Sequence, residues 1–369
     1  MEDEEDALLG KARTAPQSAW TAPAVVAAEF CERLAYYGVV AVFSVYMQQM
    51  LGFADEEVAA CATSFFVLCY SSVLPFGYLA DRFWGRRLTI VLAGCFYLLG
   101  LVLLALSSSP LGFADFPFLP TWAQGGFVVA LVLIGLGTGG IKANVGPLMA
   151  DQLGSESDLE SAWRWFYLAI NFGGFLGMLL SPLFRRIGGT VAFPTPSPTT
   201  MAASPDSPLP SCSSKSGHGS NFVSYYWSFT FLCVMWLLGA AVFLLVYVRF
   251  KNVPPTESLF SRSLRIVRQA RSERLRHSAG WFDLPANGVH WLDWAGNFPE
   301  STADNQLKKD LQQSLSAITI FSIFPLYWLL YLQMTYTFVL QAEMMELPSM
   351  MTPDQMGLAD EVFVIVLTR

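Results

Sequence analysis

Charge is what this sequence has least of: Asp, Glu, Lys and Arg make up 14% of its 369 residues, where a soluble domain carries roughly a quarter. Histidine is scarcer still, at three residues, and His218, His277 and His290 all fall between the apolar runs. No HExxH, no GxSxG and no paired catalytic histidine occurs, so the sequence offers no enzyme signature. The 6 cysteines form no CxxC: Cys31, Cys61, Cys69, Cys95 and Cys233 lie in or beside apolar runs and Cys212 stands alone in a loop. That excludes a disulfide framework or zinc-ligand spacing and leaves cysteine as a small hydrophobe. With a net charge of -7 and no stretch interleaving basic and aromatic residues, nucleic acid is not an expected partner. The acidic start "MEDEEDALLG" lacks the basic region of a cleaved signal peptide, so the first apolar run is expected to act as the insertion signal and to remain.

What the chain has is apolar length. It is 53% hydrophobic with a mean hydropathy of +0.43, and a bilayer crossing needs about 20 mostly apolar residues. Seven runs meet that need, near 22–51, 57–80, 88–107, 124–150, 162–184, 224–249 and 315–342, which predicts an all-α membrane protein. Lys and Arg mark cytoplasmic loops. "GFADEEV" (52–58) and "SSSPLGFADFPFLPTWAQ" (107–124) have neither, whereas "DRFWGRR" (81–87) and the segment from Arg249 and Lys251 onward are basic, placing the N-terminus in the cytoplasm. Arg185 and Arg186, at the outer end of span five, run against the rule.

Four regions follow: an acidic tail (1–21), a six-helix bundle (22–250), a cytoplasmic linker (251–314), and a seventh span with the start of a second bundle (315–369). The bundle is interrupted near 188–223 by a Ser/Pro-rich loop whose composition predicts disorder. In the linker, Arg262, Arg265, Arg268, Arg271 and Arg274 recur at every third position among Leu264, Ile266, Val267 and Leu275. This reads as a basic amphipathic helix on the anionic leaflet, or equally as a solvated connecting helix.

The first span holds "EFCERLAYYG" (29–38). At helical spacing Glu29, Glu32, Arg33 and Tyr36 share one stripe with Tyr37 at its edge, leaving the rest of the span for lipid. Charged groups in a bilayer cost a few kcal/mol each and are functional by default, although an ion pair that merely locks helices is the competing reading. Two carboxylates beside one guanidinium leave one negative charge unmatched, which makes them a candidate proton site. By rise per residue, Glu29 and Glu32 lie roughly 10–15 Å from the cytoplasmic side, Lys142 roughly 14 Å, Tyr167 and Asn171 roughly 6–12 Å, and Tyr327 and Trp328 roughly 18–20 Å. The four sets converge near the midplane, where alternating-access proteins hold cargo.

Lys142 has only Asn144 as a polar neighbour on its own span, so its counter-charge is expected on another helix, as Glu29 or Glu32, or on a substrate carboxylate. Gly135, Gly137, Gly139 and Gly140 precede it without the Gly-Lys-Ser/Thr of a phosphate loop. Close helix packing accounts for them, as for Gly173, Gly174 and Gly177 in span five.

"ExxERxxYYG" (29–38), "GTGGIKxNV" (137–145), "FYxxIN" (166–171) and "FPLYWLLYLQM" (324–334) resemble the signatures of the proton-dependent oligopeptide transporter family. "GYLADRFWGRR" (77–87), with Gly77, Asp81, Arg82, Gly85, Arg86 and Arg87, resembles the cytoplasmic loop motif of the major facilitator superfamily, which contains it. The resemblance implies a six-helix N-terminal bundle plus the first helix of a second, and symport of di- and tripeptides with protons, without cofactor or metal. It assigns proton coupling to Glu29, Glu32 and Arg33, and substrate contacts to Tyr36, Tyr37, Lys142, Tyr167, Asn171, Trp328 and Gln333.

Three positions depart from the family pattern. Val39 and Val40 stand where many peptide-carrying members have an arginine after the YYG, which leaves symport of nitrate or another small anion as an alternative. Leu332 stands before Gln333 where bacterial members often have a carboxylate, and Leu34 replaces a usual Phe. The family has about a dozen spans, and this chain stops as an eighth apolar run begins, so the reading is of a truncated form. Its transport would require a second polypeptide, and a non-transporting membrane protein is the alternative. The expected partners are small peptides, protons and the lipid bilayer. The plasma membrane is the expected location, with "EEDALL" (4–9) as an acidic dileucine signal for endosomal or vacuolar membranes instead.

Overall fold

A helix with three ionisable groups near its middle cannot rest against lipid on every side, and the chain is built around that constraint. In a computed structural model, residues 20–108, 119–153, 156–187, 190–192, 221–223, 225–251, 259–277, 290–296 and 302–321 are described, with isolated positions between 326 and 345. The first helix, α1, runs Thr21–Gln49. It is buried on almost every face, Val39, Val42 and Phe43 being completely enclosed. The expectation that all but its polar stripe faces lipid is thereby corrected: other helices wrap α1 and keep its charges out of hydrocarbon.

The helix α2 (Asp55–Ser71) opens with Asp55, Glu56 and Glu57, whose charge suits the positive end of a helix. The Ala54 amide donates to Glu57 Oε2 at 2.9 Å. A short α3 (Val73–Leu79) and one wide turn (Ala80–Trp84) continue it, and α4 follows (Gly85–Ser107). The 53 residues from Asp55 to Ser107 hold a stretch apolar enough to cross a membrane, and end to end they would extend roughly 80 Å against a core of about 30 Å. Gly85 divides them with φ +71°, a conformation that a side chain would oppose. The predicted loop 81–87 is thus helical through Trp84, and its reversal centres on one glycine.

Next come α5 (Leu119–Asp151), α6 (Glu156–Ile187) and α7 (Tyr226–Val246). Between α6 and α7, β1 (Thr190–Ala192) pairs antiparallel with β2 (Asn221–Val223), Thr190 opposite Val223 and Ala192 opposite Asn221. This ribbon is a small exception to an all-helical chain and frames the Ser/Pro-rich segment, of which 193–220 lie outside the described residues.

Helix pairs in lipid associate through close packing and interhelical hydrogen bonds. The α5 glycines serve that purpose: a Cβ at Gly137 would come within 2.8 Å of the Ala93 carbonyl on α4, and one at Gly139 within 2.9 Å of the Cys69 carbonyl on α2. On α6, a Cβ at Gly177 would lie 2.9 Å from the Gly38 amide nitrogen of α1. Nearby, Ser181 Oγ donates to the Gly38 carbonyl at 2.8 Å and lies 2.7 Å from Ser228 Oγ on α7. Because the obstruction at Gly177 is backbone, Gly177→Leu is expected to destabilise the chain by about 3 kcal/mol, read as a lower Tm of the detergent-solubilised protein.

Arg185, the exception to the charge rule, is 9% exposed. It donates to Tyr225 Oη at 2.8 Å and stacks over that ring at 5.2 Å, while Tyr225 Oη donates to Gln49 Oε1 at 3.2 Å. The arginine ties the C-terminal ends of α1 and α6 to the N-terminal end of α7, and this packing role accounts for its place.

The linker folds on itself. In α8 (Leu259–Arg276), Ile266 and Ala270 are buried with Leu292 and Ala295 of a short 3-10 turn (Trp291–Ala295) and with Leu307 of α9 (Thr302–Phe321). Arg262 donates to Asp304 Oδ1 through Nε (2.8 Å) and Nη2 (2.6 Å), and Lys308 Nζ donates to the Gly296 carbonyl at 2.8 Å. Protein covers α8 at Ile266 and Ala270, while Leu264 and Leu275 remain exposed at 36% and 62%. Leu292→Ala is expected to cost about 2–5 kcal/mol and to show as faster proteolysis within 259–277. The helix leading toward span seven begins at Thr302 rather than near 315, because Leu307, Leu311 and Leu315 have this cluster to pack against.

Candidate functional site

Burial in α1 brings Glu29, Glu32 and Arg33 to 3%, 4% and 3% exposure. Arg33 Nε stands 3.2 Å from Glu29 Oε1, and the same guanidinium pairs more closely with Glu32 Oε2. Glu29 Oε2 and Glu32 Oε1 are enclosed and have no hydrogen-bond partner among the described residues. One cation is therefore shared by two carboxylates, and each keeps one oxygen for another donor. The guanidinium also lies 5.0 Å over the Tyr36 ring. Tyr36 is buried, edge-on to the half-buried Tyr37 at 5.3 Å and stacked on Phe65 of α2 at 6.0 Å.

From α5, Lys142 interacts electrostatically with Arg33, Glu32 and Glu29. No acid lies within ion-pair distance of it among the described residues; its ammonium instead stands 4.2 Å above the ring of Tyr70 on α2. The helix-to-helix salt bridge with Glu29 or Glu32 is thus not made in this conformation. The Asn144 amide donates to the Gly140 carbonyl at 2.8 Å. Tyr70 was missed in the sequence, as was Phe65. A hydroxylated ring in an otherwise apolar run, at the height of the lysine once span two is set antiparallel to span one, was the available signal.

On α6, Tyr167 is 49% exposed and Asn171 donates to the Tyr167 carbonyl at 2.8 Å. Among the described residues neither is joined to the charge cluster by a hydrogen bond or ion pair. Trp328 and Gln333, with Tyr327, lie outside the described residues. An open groove beside α6, lined in part by Val26, Phe30, Asp158, Trp165, Leu168 and Phe172, runs along α1.

At the end of the bundle where α3 gives way to α4, the loop motif fastens the helices. A Cβ at Gly77 would lie 4.0 Å from Ala143 Cβ of α5, Arg86 pairs with Asp151 at the end of α5, and Arg87 donates to the Phe250 carbonyl at 3.0 Å while lying 5.3 Å over the Tyr247 ring. Thr89 Oγ1 donates to the Gly85 carbonyl at 2.9 Å, supporting the turn; Asp81 is half-buried and Arg82 exposed. Among the described residues no group of three or more His, Cys, Asp or Glu could hold a metal ion.

The sequence profile of the POT family (PTR2) matches residues 87–368, most of the chain. Similar proteins include Peptide transporter family 2 of Caenorhabditis elegans, 27% identical over 92% of this chain and 40% of its own length. Solute carrier family 15 member 1 of Rattus norvegicus is 27% identical over 93% and 45%, and the probable peptide transporter ptr2 of Schizosaccharomyces pombe 28% over 89% and 50%. The chain thus spans about half the length of the curated relatives it matches. Among solved structures, the POT family transporter PepTSo superposes with a TM-score of 0.63 at 21% identity, covering 95% of this chain and 68% of that one. An auto-inhibited POT family peptide transporter gives 0.65 at 23%, covering 94% and 66%. At these identities the likeness is one of fold.

Proposed function

Since the chain belongs to the POT family, we propose that it forms the N-terminal part of a proton-coupled symporter of di- and tripeptides working by alternating access. The observation that carries this reading is the buried triad Glu29, Glu32 and Arg33 with Lys142 in electrostatic reach but in no ion pair. Two carboxylates sharing one guanidinium have room for one more positive charge, whether a proton or the lysine ammonium. A lysine held only over an aromatic ring is free to meet a peptide carboxylate. We assign proton coupling to Glu29, Glu32 and Arg33, the substrate's carboxyl end to Lys142, and backbone contacts to Tyr36, Tyr37, Tyr167 and Asn171, with Trp328 and Gln333 on the seventh span. The groove along Val26, Phe30, Trp165 and Phe172 suits the helices of a second bundle, whether in the same polypeptide or another.

The test is pH-dependent dipeptide uptake in proteoliposomes, by this chain and by a version extended through the remaining family spans. Acid outside is expected to drive accumulation by the extended form. Uptake that ignores the pH gradient would overturn the coupling. Nitrate at equal concentration should leave uptake unchanged, and strong competition would favour the small-anion reading.

A further inference from the structure

The fold divides the arginines that the sequence sets at every third position of α8. Arg262 is engaged with Asp304 and Arg274 is 8% exposed, whereas Arg265, Arg268, Arg271 and Arg276 stand on the surface. With about 100° between successive residues, Ile266 and Ala270, packed with the 3-10 turn and α9, lie on one side of the helix and the exposed Leu264 and Leu275 on the other. The two leucines are about three turns apart and within roughly 20° of each other around the axis, with Arg268 on one flank and Arg271 on the other. Glu273, the one acidic residue of 259–277, falls on the opposite half, where it is half-buried and paired with Arg276. The helix is also kept close to a bilayer. The apolar α7 is long enough to cross one and leads into Phe250 and Lys251, where the Phe250 carbonyl accepts from Arg87 and the Lys251 amide donates to Gln152 Oε1 at 2.8 Å. Leu259 opens α8 eight residues after that pinned point, a reach of at most about 28 Å.

We infer that this exposed face of α8 docks on the anionic lipid headgroups of the bilayer that the chain spans. Leu264 and Leu275 enter the boundary between headgroups and acyl chains, and Arg268 and Arg271 beside them donate to the phosphates and carboxylates of the lipids. The mixture of residues selects this occupant. Water would solvate the arginines and leave the leucines exposed, and a purely apolar partner would strand the arginines without acceptors. An anionic membrane surface meets both needs within a few ångströms of depth, and its negative potential attracts each arginine. Packing decides which face is offered: Ile266 and Ala270 are held against Leu292 and Leu307, so α8 cannot roll its leucines into the protein without breaking that cluster. The surface stands on exposure, spacing and charge, independently of what the protein transports.

The probe is phosphatidylserine with a diazirine on its acyl chain next to the headgroup. With the 369-residue chain reconstituted in vesicles of phosphatidylcholine and this lipid, irradiation and peptide mass spectrometry are expected to place label on 264–275. Phosphatidylcholine carrying the same diazirine should label that segment about tenfold less, and 1 M salt, which shortens the screening length to about 3 Å, should weaken the phosphatidylserine signal. Replacing both flanking arginines, Arg268→Gln with Arg271→Gln, should lower it about thirtyfold, at about fivefold for each. Equal labelling by the two lipids, no label on 264–275, or labelling that survives in the folded double variant would each overturn the proposal. Label that appears only when the acids of residues 2–6 are replaced by their amides would assign the face to the chain's own acidic tail instead, and overturn it too. Where the double variant does not fold, the comparison of the two lipids on the unaltered chain still decides.

Discussion

Glu32→Gln, placed in the form extended through the remaining spans, is expected to end uphill peptide accumulation while exchange of labelled for unlabelled peptide continues. The glutamine keeps the shape of the side chain and one oxygen for Arg33 but takes neither charge nor proton. Arg33 then faces a single carboxylate, Glu29, and the triad becomes neutral without any proton bound. With no linkage between proton and peptide binding, the inside-to-outside ratio should fall to about one under any pH gradient. The measurement is that ratio beside the exchange rate in the same vesicles. Accumulation that persists would sink the coupling role, and loss of both would mean damage to folding or to the substrate site.

The second large effect belongs to Lys142. Its ammonium has a ring beneath it and no carboxylate within ion-pair distance among the described residues, so a peptide's terminal carboxylate would be its first full counter-charge. Lys142→Ala should weaken binding of dipeptides with a free C-terminus by about thirtyfold, the equivalent of roughly 2 kcal/mol for one partner of a charged pair. The amidated analogues should change little. Equal losses for both series would remove the carboxylate role and point to the lysine's influence on Glu29 and Glu32 instead.

Much of this was legible in the residues, for a reason that differs from element to element. Spans are written as apolar length, and that signal survives without any tertiary information, as in Tyr226–Val246. The fold class and the family could be read because charged groups inside such spans are rare, so "ExxERxxYYG" and "GTGGIKxNV" stand out from their surroundings. Lipid exposure was not legible. Valines such as Val39 and Val42 suit hydrocarbon and protein interior equally, and only the packing of neighbours decides. The turn at Gly85 hid for a similar reason: "DRFWGRR" has the charge of a loop while its residues through Trp84 keep helical bonding. In the linker, the pattern of α8 announced an apolar side but could not say that Leu292 and Leu307, far along the chain, would cover it. Within the site, height along each span was computable from sequence and direction around it was not, which is why Tyr70 and the missing ion pair of Lys142 emerged only with the side chains in place.

The enclosure of α1 also bears on how the chain is made. It leaves the ribosome before every helix that shields it, and its three ionisable groups make it the poorest of the spans at partitioning into lipid alone. Its final seat depends on α6, where Gly173 and Gly177 admit its backbone, more than a hundred residues later in synthesis. A helix translated before the partners that enclose it is thus among the last to settle. Bulky residues at those two glycines would then appear in cells as α1 stranded on the wrong side and degraded during biogenesis, well before any fault in the finished protein could be measured.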